Sequence, residues 1–267
     1  MFPLWDDVPS LRFPFVSYAL IAACVVAFFV QLTAPNGGEQ IVREYGMIPL
    51  RVTHPKAREI IVETQSQSGR RQREVLDLSS PISPLMTLFT CMFLHGGLMH
   101  IVGNMWFLYI FGDNVEDRFG HIGFAVMYFV SGLAAGIMHI MADSTSYIPT
   151  IGASGAIAGV MGSYMWLYPR ASVMSLIPLG IFSRLMPIPA PIFLGIWFAF
   201  QVLSGFQTEP GGGGVAWWAH VGGFVAGLGM TAGLYYIGGL NPPVQQVRSS
   251  TYPPFGGDTR RWQSRPW

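Results

Sequence analysis

Charge is what this sequence has least of. Asp, Glu, Lys and Arg make up 11% of its 267 residues, less than half the roughly 25% of an ordinary soluble domain. The two signs nearly cancel, to a formal net charge of +1. Without a basic run long enough to release many counterions, a nucleic-acid surface is excluded. Cysteine is scarce as well: Cys24 and Cys91 stand alone in apolar surroundings, which argues against a disulfide framework or a cysteine metal cluster. What the chain does have is 51% hydrophobic residues, with nineteen Phe, fourteen Met, eight Trp and 32 Gly. Hydrophobicity this high excludes disorder as the main state and points to an integral membrane protein.

The charges are placed as tellingly as they are few. None occurs from Phe13 to Gly38, Leu78 to Gly112, Phe119 to Ala142, Ser144 to Pro169, Leu185 to Thr208 or Pro210 to Val247. Each window can hold the roughly 20 apolar residues that cross about 30 Å of hydrocarbon. The expected fold is therefore an all-α, polytopic bundle of six transmembrane helices, near 14–34, 95–112, 120–141, 153–168, 190–207 and 216–238. The first resembles a signal peptide, but it is too long for an apolar signal core and lacks a basic stretch before it, so it reads as a retained span.

Thirteen of the charges fall in one stretch, Glu39 to Asp77, a polar first loop whose tract from Gln65 to Gln72 reads as mobile. The division expected is one membrane domain over 1–240 and a Pro-, Gly- and Arg-rich disordered tail over 241–267. Six spans put both termini on one side. The arginines of the short connections, Arg118, Arg170 and Arg184, favour a cytoplasmic location for that side.

Three motifs offer chemistry. Gly152-Ala153-Ser154-Gly155 opens the fourth span, where a serine among glycines exposes its hydroxyl beside free backbone N–H groups. The competing reading is close packing of small residues, which the Gly155/Gly159 spacing supports. Trp217-Trp218-Ala219-His220 opens the sixth span. A histidine inside a membrane helix is a functional candidate, because ionisable groups are costly there; a hydrogen bond to a neighbouring helix is the plainer alternative. His95-Gly96-Gly97-Leu98-Met99-His100-Ile101-Val102-Gly103-Asn104 leads into the second span. There His100 and Asn104, four apart, share a helix face, while His95 and His100 lack both the spacing and the glutamate of a zinc-binding helix. His121 and His139 have no evident partner.

Topology joins these motifs. Spans two, four and six all start on the face opposite the termini, so His100, Asn104, Ser154 and His220 share a depth of roughly 10 Å at about 1.5 Å per residue. Together they offer a nucleophile, a base and oxyanion-type donors in one layer. With these motifs in this order and spacing, the chain resembles the rhomboid family of intramembrane serine proteases, over about residues 10–240, and of the bacterial type. The resemblance implies Ser154 as nucleophile and His220 as general base. It implies His100, Asn104 and the Ser154 backbone N–H as donors to the oxyanion, with Gly152 and His95 in support. It implies no cofactor and no metal. The partners it implies are the lipid bilayer and single-span membrane proteins, cut near the outer face of a bacterial inner membrane.

Two departures stand out. Many rhomboids carry an aromatic residue one turn after the nucleophile, against the catalytic imidazole. Here that position is Ala158, leaving Trp217 or Trp218 to orient His220. The Trp-Arg pair found in the first loop of many members is absent, since no Trp occurs between Trp5 and Trp106. The alternative function is a catalytically silent rhomboid-like protein that binds membrane clients. Intact Ser154 and His220 speak against it. A small-solute transporter is a third reading, opposed by the lack of an intramembrane acid or an inverted repeat.

Overall fold

A computed structural model describes residues 1–65, 71–179, 182–208 and 214–241. The tract 66–70 and the tail from 242, both covered by expectations above, lie outside them.

Helix dominates. After a short strand β1 (Phe2–Asp6), α1 runs over Phe15–Thr33 as an uncharged apolar rod. Pro35 and three positive-φ residues, Asn36, Gly37 and Gly38, then stop it. The first loop is ordered into α2 (Glu39–Tyr45), α3 (Pro49–Thr53) and a hairpin of β2 (Glu59–Gln65) with β3 (Arg71–Asp77). The short α4 (Thr87–Thr90) and a 3-10 turn at Cys91–Phe93 lead to α5 (Leu98–Ala142). Next come α6 (Ser154–Leu167), an antiparallel hairpin of β4 (Ser172–Leu179) with β5 (Phe182–Pro189), α7 (Ala190–Gln207) and α8 (Trp217–Tyr236).

The six-span count is not confirmed. Among the described residues, three helices, α1, α5 and α7, are long and apolar enough to cross a membrane. The expected second and third spans are a single 45-residue element, broken where Gly120 takes φ 69°, ψ 165°. Such a φ suits a residue without Cβ, and it turns the chain into two helical arms, 98–119 and 121–142. The expected fourth span is a helix of 14 residues, ~21 Å at about 1.5 Å per residue, short of the hydrocarbon thickness. The helix placement survives; among the described residues, length and apolarity support three of the spans. His95 also lies before α5 rather than in its first turn.

Strands, which the charge pattern did not suggest, form at two places. β1 and β5 both pair antiparallel with β4 in one sheet, so the chain start is fastened to the α6–α7 connection. Helix ends are closed in trans. The backbone N–H groups of Val16 and Ser17 donate to Glu116, and those of Leu11 and Arg12 to Asp117. Glu116, near the Gly120 turn, thus satisfies orphan donors of the α1 start, which has no side-chain cap of its own, while Asp117 ties down the segment leading into it. At the chain's other end, Arg118 Nε donates to the Asn241 carbonyl at 2.7 Å, and the Asn241 N–H returns a bond to the Arg118 carbonyl at 2.7 Å.

The core is centred on α6, whose residues Gly155 to Tyr164 are all buried. On α8, Gly222, Gly223 and Gly227 face it or α5. A Cβ on Gly223 would strike the Gly155 carbonyl, one on Gly227 the Gly159 carbonyl, and one on Gly162 the Phe224 carbonyl. Backbone therefore meets backbone along the whole α6–α8 seam, the geometry that small residues permit in membranes.

Candidate active site

Ser154 is the first residue of α6, and His220 lies one turn into α8. The seam brings them to hydrogen-bond distance, with Ser154 Oγ 2.7 Å from His220 Nε2. The close packing of the glycine motifs is what sets this separation. The loop before Ser154 is pinned to its surroundings. The Gly152 N–H donates to the Cys91 carbonyl at 2.9 Å, and Thr150 exchanges backbone hydrogen bonds with Met47 in the first loop. Ala153 supplies no side-chain cap, so the first-turn N–H groups of α6 stay available at the serine.

A cavity of about 670 Å³ opens over this pair, lined among others by His100, His139, Gly152, Ser154, Trp217 and His220. His100 reaches it with a defined tautomer. The Gly96 N–H donates to His100 Nδ1 at 3.2 Å, so in the neutral ring the proton sits on Nε2. That nitrogen faces Gly152, where a Cβ would lie 2.8 Å from it and where φ is 126°. Glycine is thus required twice at 152, for its backbone angle and for the ring beside it.

His95 is buried next to His100, their rings edge-on with centroids 5.2 Å apart. Its backbone is clamped by Gln31 of α1, whose amide accepts from the His95 N–H at 3.0 Å and donates to its carbonyl at 3.1 Å. Asn104 differs from expectation. It does not line the cavity, and its Nδ2 donates to the His100 carbonyl one turn earlier at 2.9 Å. Helical spacing put the two residues on one face, but the amide found a partner on its own helix. Of the remaining histidines, His139 lines the cavity with a buried, unpartnered Nδ1, and His121 bonds Glu116 at 2.5 Å at the Gly120 turn.

Sequence reasoning missed what surrounds the imidazole of His220. Its Nδ1 is 2.7 Å from Oε1 of Gln201, a buried amide of α7. Trp197, one turn earlier on α7, lays its ring against His220 at 5.8 Å and 35°. Of the two tryptophans favoured from sequence, Trp217 stands edge-on at 6.4 Å, whereas Trp218 packs against Phe206 and Gly205. The signal was present: an amide within a charge-free apolar window is costly unless it is bonded.

Within the first loop, a buried arginine ties backbone segments together. Arg51 is buried, and its guanidinium donates to the carbonyls of Arg43 (2.8 Å) and Gly46. It thereby holds the segment from which Met47 reaches Thr150.

Comparison with known proteins identifies the family. The Rhomboid domain model matches residues 83–237, more than half of the chain. Similar proteins include RHOMBOID-like protein 5 of Arabidopsis thaliana, 35% identical over 29% of this chain and 25% of its own length. RHOMBOID-like protein 1 of the same plant is 26% identical, over 58% of this chain and 40% of its own. Rhomboid protein 1, mitochondrial, of Saccharomyces cerevisiae is 25% identical, over 59% and 44%. The chain thus spans less than half the length of each of these relatives. They come from a plant and a yeast, so the bacterial type and the bacterial inner membrane expected above find no support in them. The apolar helices and the match over 83–237 lead to one conclusion: this integral membrane protein belongs to the Rhomboid family.

Proposed function

We propose that this protein is an intramembrane serine endopeptidase that cuts single-span membrane proteins in or near their transmembrane segment. The observation that carries the reading is the 2.7 Å contact between Ser154 Oγ and His220 Nε2, made at the floor of a cavity. As Oγ attacks a substrate carbonyl carbon, its proton passes to His220 Nε2. The oxyanion that forms is met by the His100 Nε2–H and the first-turn N–H groups of α6. Donors of this kind are worth about 3–4 kcal/mol each in a well-studied protease. The C–N bond then breaks, and His220 protonates the leaving amine. Water attacks the acyl-serine by the reverse proton route, returning the proton to Oγ.

Gly152 and His95 support His100 in this scheme, and Asn104 holds the helical turn beneath it. The substrate segment must unwind, because a helix keeps its carbonyls hydrogen-bonded. The reading includes an active site opening on the face opposite the termini, with the termini cytoplasmic.

The deciding experiment incubates the purified protein in detergent with a panel of single-span substrates, beside Ser154→Ala and His220→Ala. Wild-type cleavage and serine labelling by a fluorophosphonate are expected, with both variants slowed by roughly 10⁴- to 10⁶-fold. Cleavage that persists in Ser154→Ala overturns the dyad. A wild-type protein that neither cleaves nor labels is instead the silent client-binding member of the family.

A further inference from the structure

A neutral imidazole has one nitrogen that donates and one that accepts, and only one assignment lets His220 act as a base toward Ser154. The surroundings of Gln201 select it. Gln201 Nε2 donates to the Trp197 carbonyl one turn earlier at 3.3 Å, which directs the amide oxygen, not its nitrogen, at the ring. Oε1 then lies 2.7 Å from His220 Nδ1. A carbonyl oxygen cannot donate, so Nδ1 must carry the hydrogen. Nε2 is left with its lone pair, 2.7 Å from the Ser154 hydroxyl.

We propose that Gln201 is a positioning residue that holds His220 in the one tautomer able to take the serine proton, making the site a Ser154–His220–Gln201 relay of orientation. This inference rests on Ser154 and His220 being nucleophile and base. Gln201 touches neither substrate nor the reacting hydroxyl; it acts through the imidazole. Trp197 adds a second restraint from the same helix, with its ring against the imidazole where Ala158 of α6 leaves no aromatic face. The base is therefore placed by α8 but aimed by α7. The other titratable groups facing His220 are His100 and His139, both from α5. α6 presents Ser154, and α7 presents the uncharged Gln201.

The test uses the full chain in lipid bilayers and four variants: Gln201→Leu, which keeps the volume without an acceptor, Gln201→Glu, which keeps an acceptor, Ser154→Ala and His220→Ala. Solid-state NMR of ¹⁵N-histidine protein reports which nitrogen of His220 is protonated, with His220→Ala assigning the signal. Fluorophosphonate labelling rates across pH report nucleophile activation. We expect Nδ1 to be protonated in the resting wild type. Gln201→Leu should lower the labelling rate ~10- to 100-fold, part of what a general base contributes, and should mix the tautomers. Gln201→Glu should recover most of the rate while moving the low-pH limb of the profile to higher pH, because a carboxylate beside the ring favours its charged form.

Labelling of Gln201→Leu within twofold of wild type overturns the proposal, as does a wild-type His220 protonated on Nε2. A Gln201→Glu protein no better than Gln201→Leu means that the amide is structural only. Equal labelling of wild type and Ser154→Ala is a separate outcome, and it removes the protease reading itself.

Discussion

The α6–α8 seam and α7 hold the same serine–histidine pair by opposite means. Along the seam, glycines bring backbone against backbone, and a single added Cβ at Gly223 or Gly227 meets a carbonyl oxygen. α7 makes contact through side chains. It buries Ala190, Phe193, Leu194, Gln201 and Gly205, while Ile192, Ile196, Phe200, Leu203 and Phe206 stay exposed on its outer face. Backbone contacts have no rotamers with which to adjust, so the seam is rigid and sets the distance from Ser154 to His220. Side-chain contacts can be made and broken as a helix shifts, so what α7 supplies is orientation. Distance and aim are separate requirements of a serine–histidine pair, and this fold assigns them to separate helices.

The difference is open to direct attack. The largest effect is expected at the seam: Gly227→Leu must push α8 away from Gly159. Overpacking of this kind costs about 3 kcal/mol or more where the obstacle is backbone. Unfolding in mixed micelles should register that loss together with the disappearance of serine labelling; an unchanged midpoint would show that the seam can yield.

A second probe acts at the far end of α6, where Tyr164 donates to the Asp6 carboxylate at 2.5 Å and Asn114 Nδ2 donates to the same oxygen at 2.8 Å. Burial pushes the Asp6 carboxyl up to about 8, against the lowering effect of the Tyr164 hydrogen bond and with Asp113 and Asp7 adding repulsion. The native state thus keeps a proton that the unfolded chain gives up from about pH 4. Stability from this group is complete below that pH, declines as pH rises toward 8, and levels off above. Thermal melts between pH 5 and 9 should show that slope in the wild type and a flatter curve in Asp6→Asn. Parallel curves would mean that Asp6 does not anchor α6. The smallest effect belongs to α7: a Cβ on Gly195 meets nothing within 4 Å. Gly195→Ala should leave the melting midpoint and the labelling rate within error, a change of about 0.5 kcal/mol or less. A large loss would reveal that α7 packs as tightly as the seam.

Much of this was legible in the residues. Charge-free windows located every long helix, because burying charge in hydrocarbon is costly whatever the fold. The positions of Ser154, His100 and His220 near helix starts already implied one layer. Gly223 and Gly227 on one helix and Gly155 and Gly159 on another already implied close approach. Other features were not legible. The break at Gly120 lies in a stretch whose composition suits continuous helix or turn equally. The β1–β4–β5 sheet joins segments about 170 residues apart, and its strands show no clean alternation. Glu116 and Asp117 read as an ordinary charged connection, although the first caps α1 and the second holds the segment before it. Asn104 shared a face with His100 as its spacing required, yet bonded its own helix instead of facing the cavity.

By itself, then, the sequence determined the solvent, the helices and the residues from which a reaction can be proposed. These depend on what each segment excludes from lipid and on residue chemistry, both of which are local. Only the tertiary structure decided what meets the His220 ring. Gln201 and Trp197 act on His220 across a helix–helix contact, and no periodicity within α7 states which face of which neighbour its one buried amide will meet.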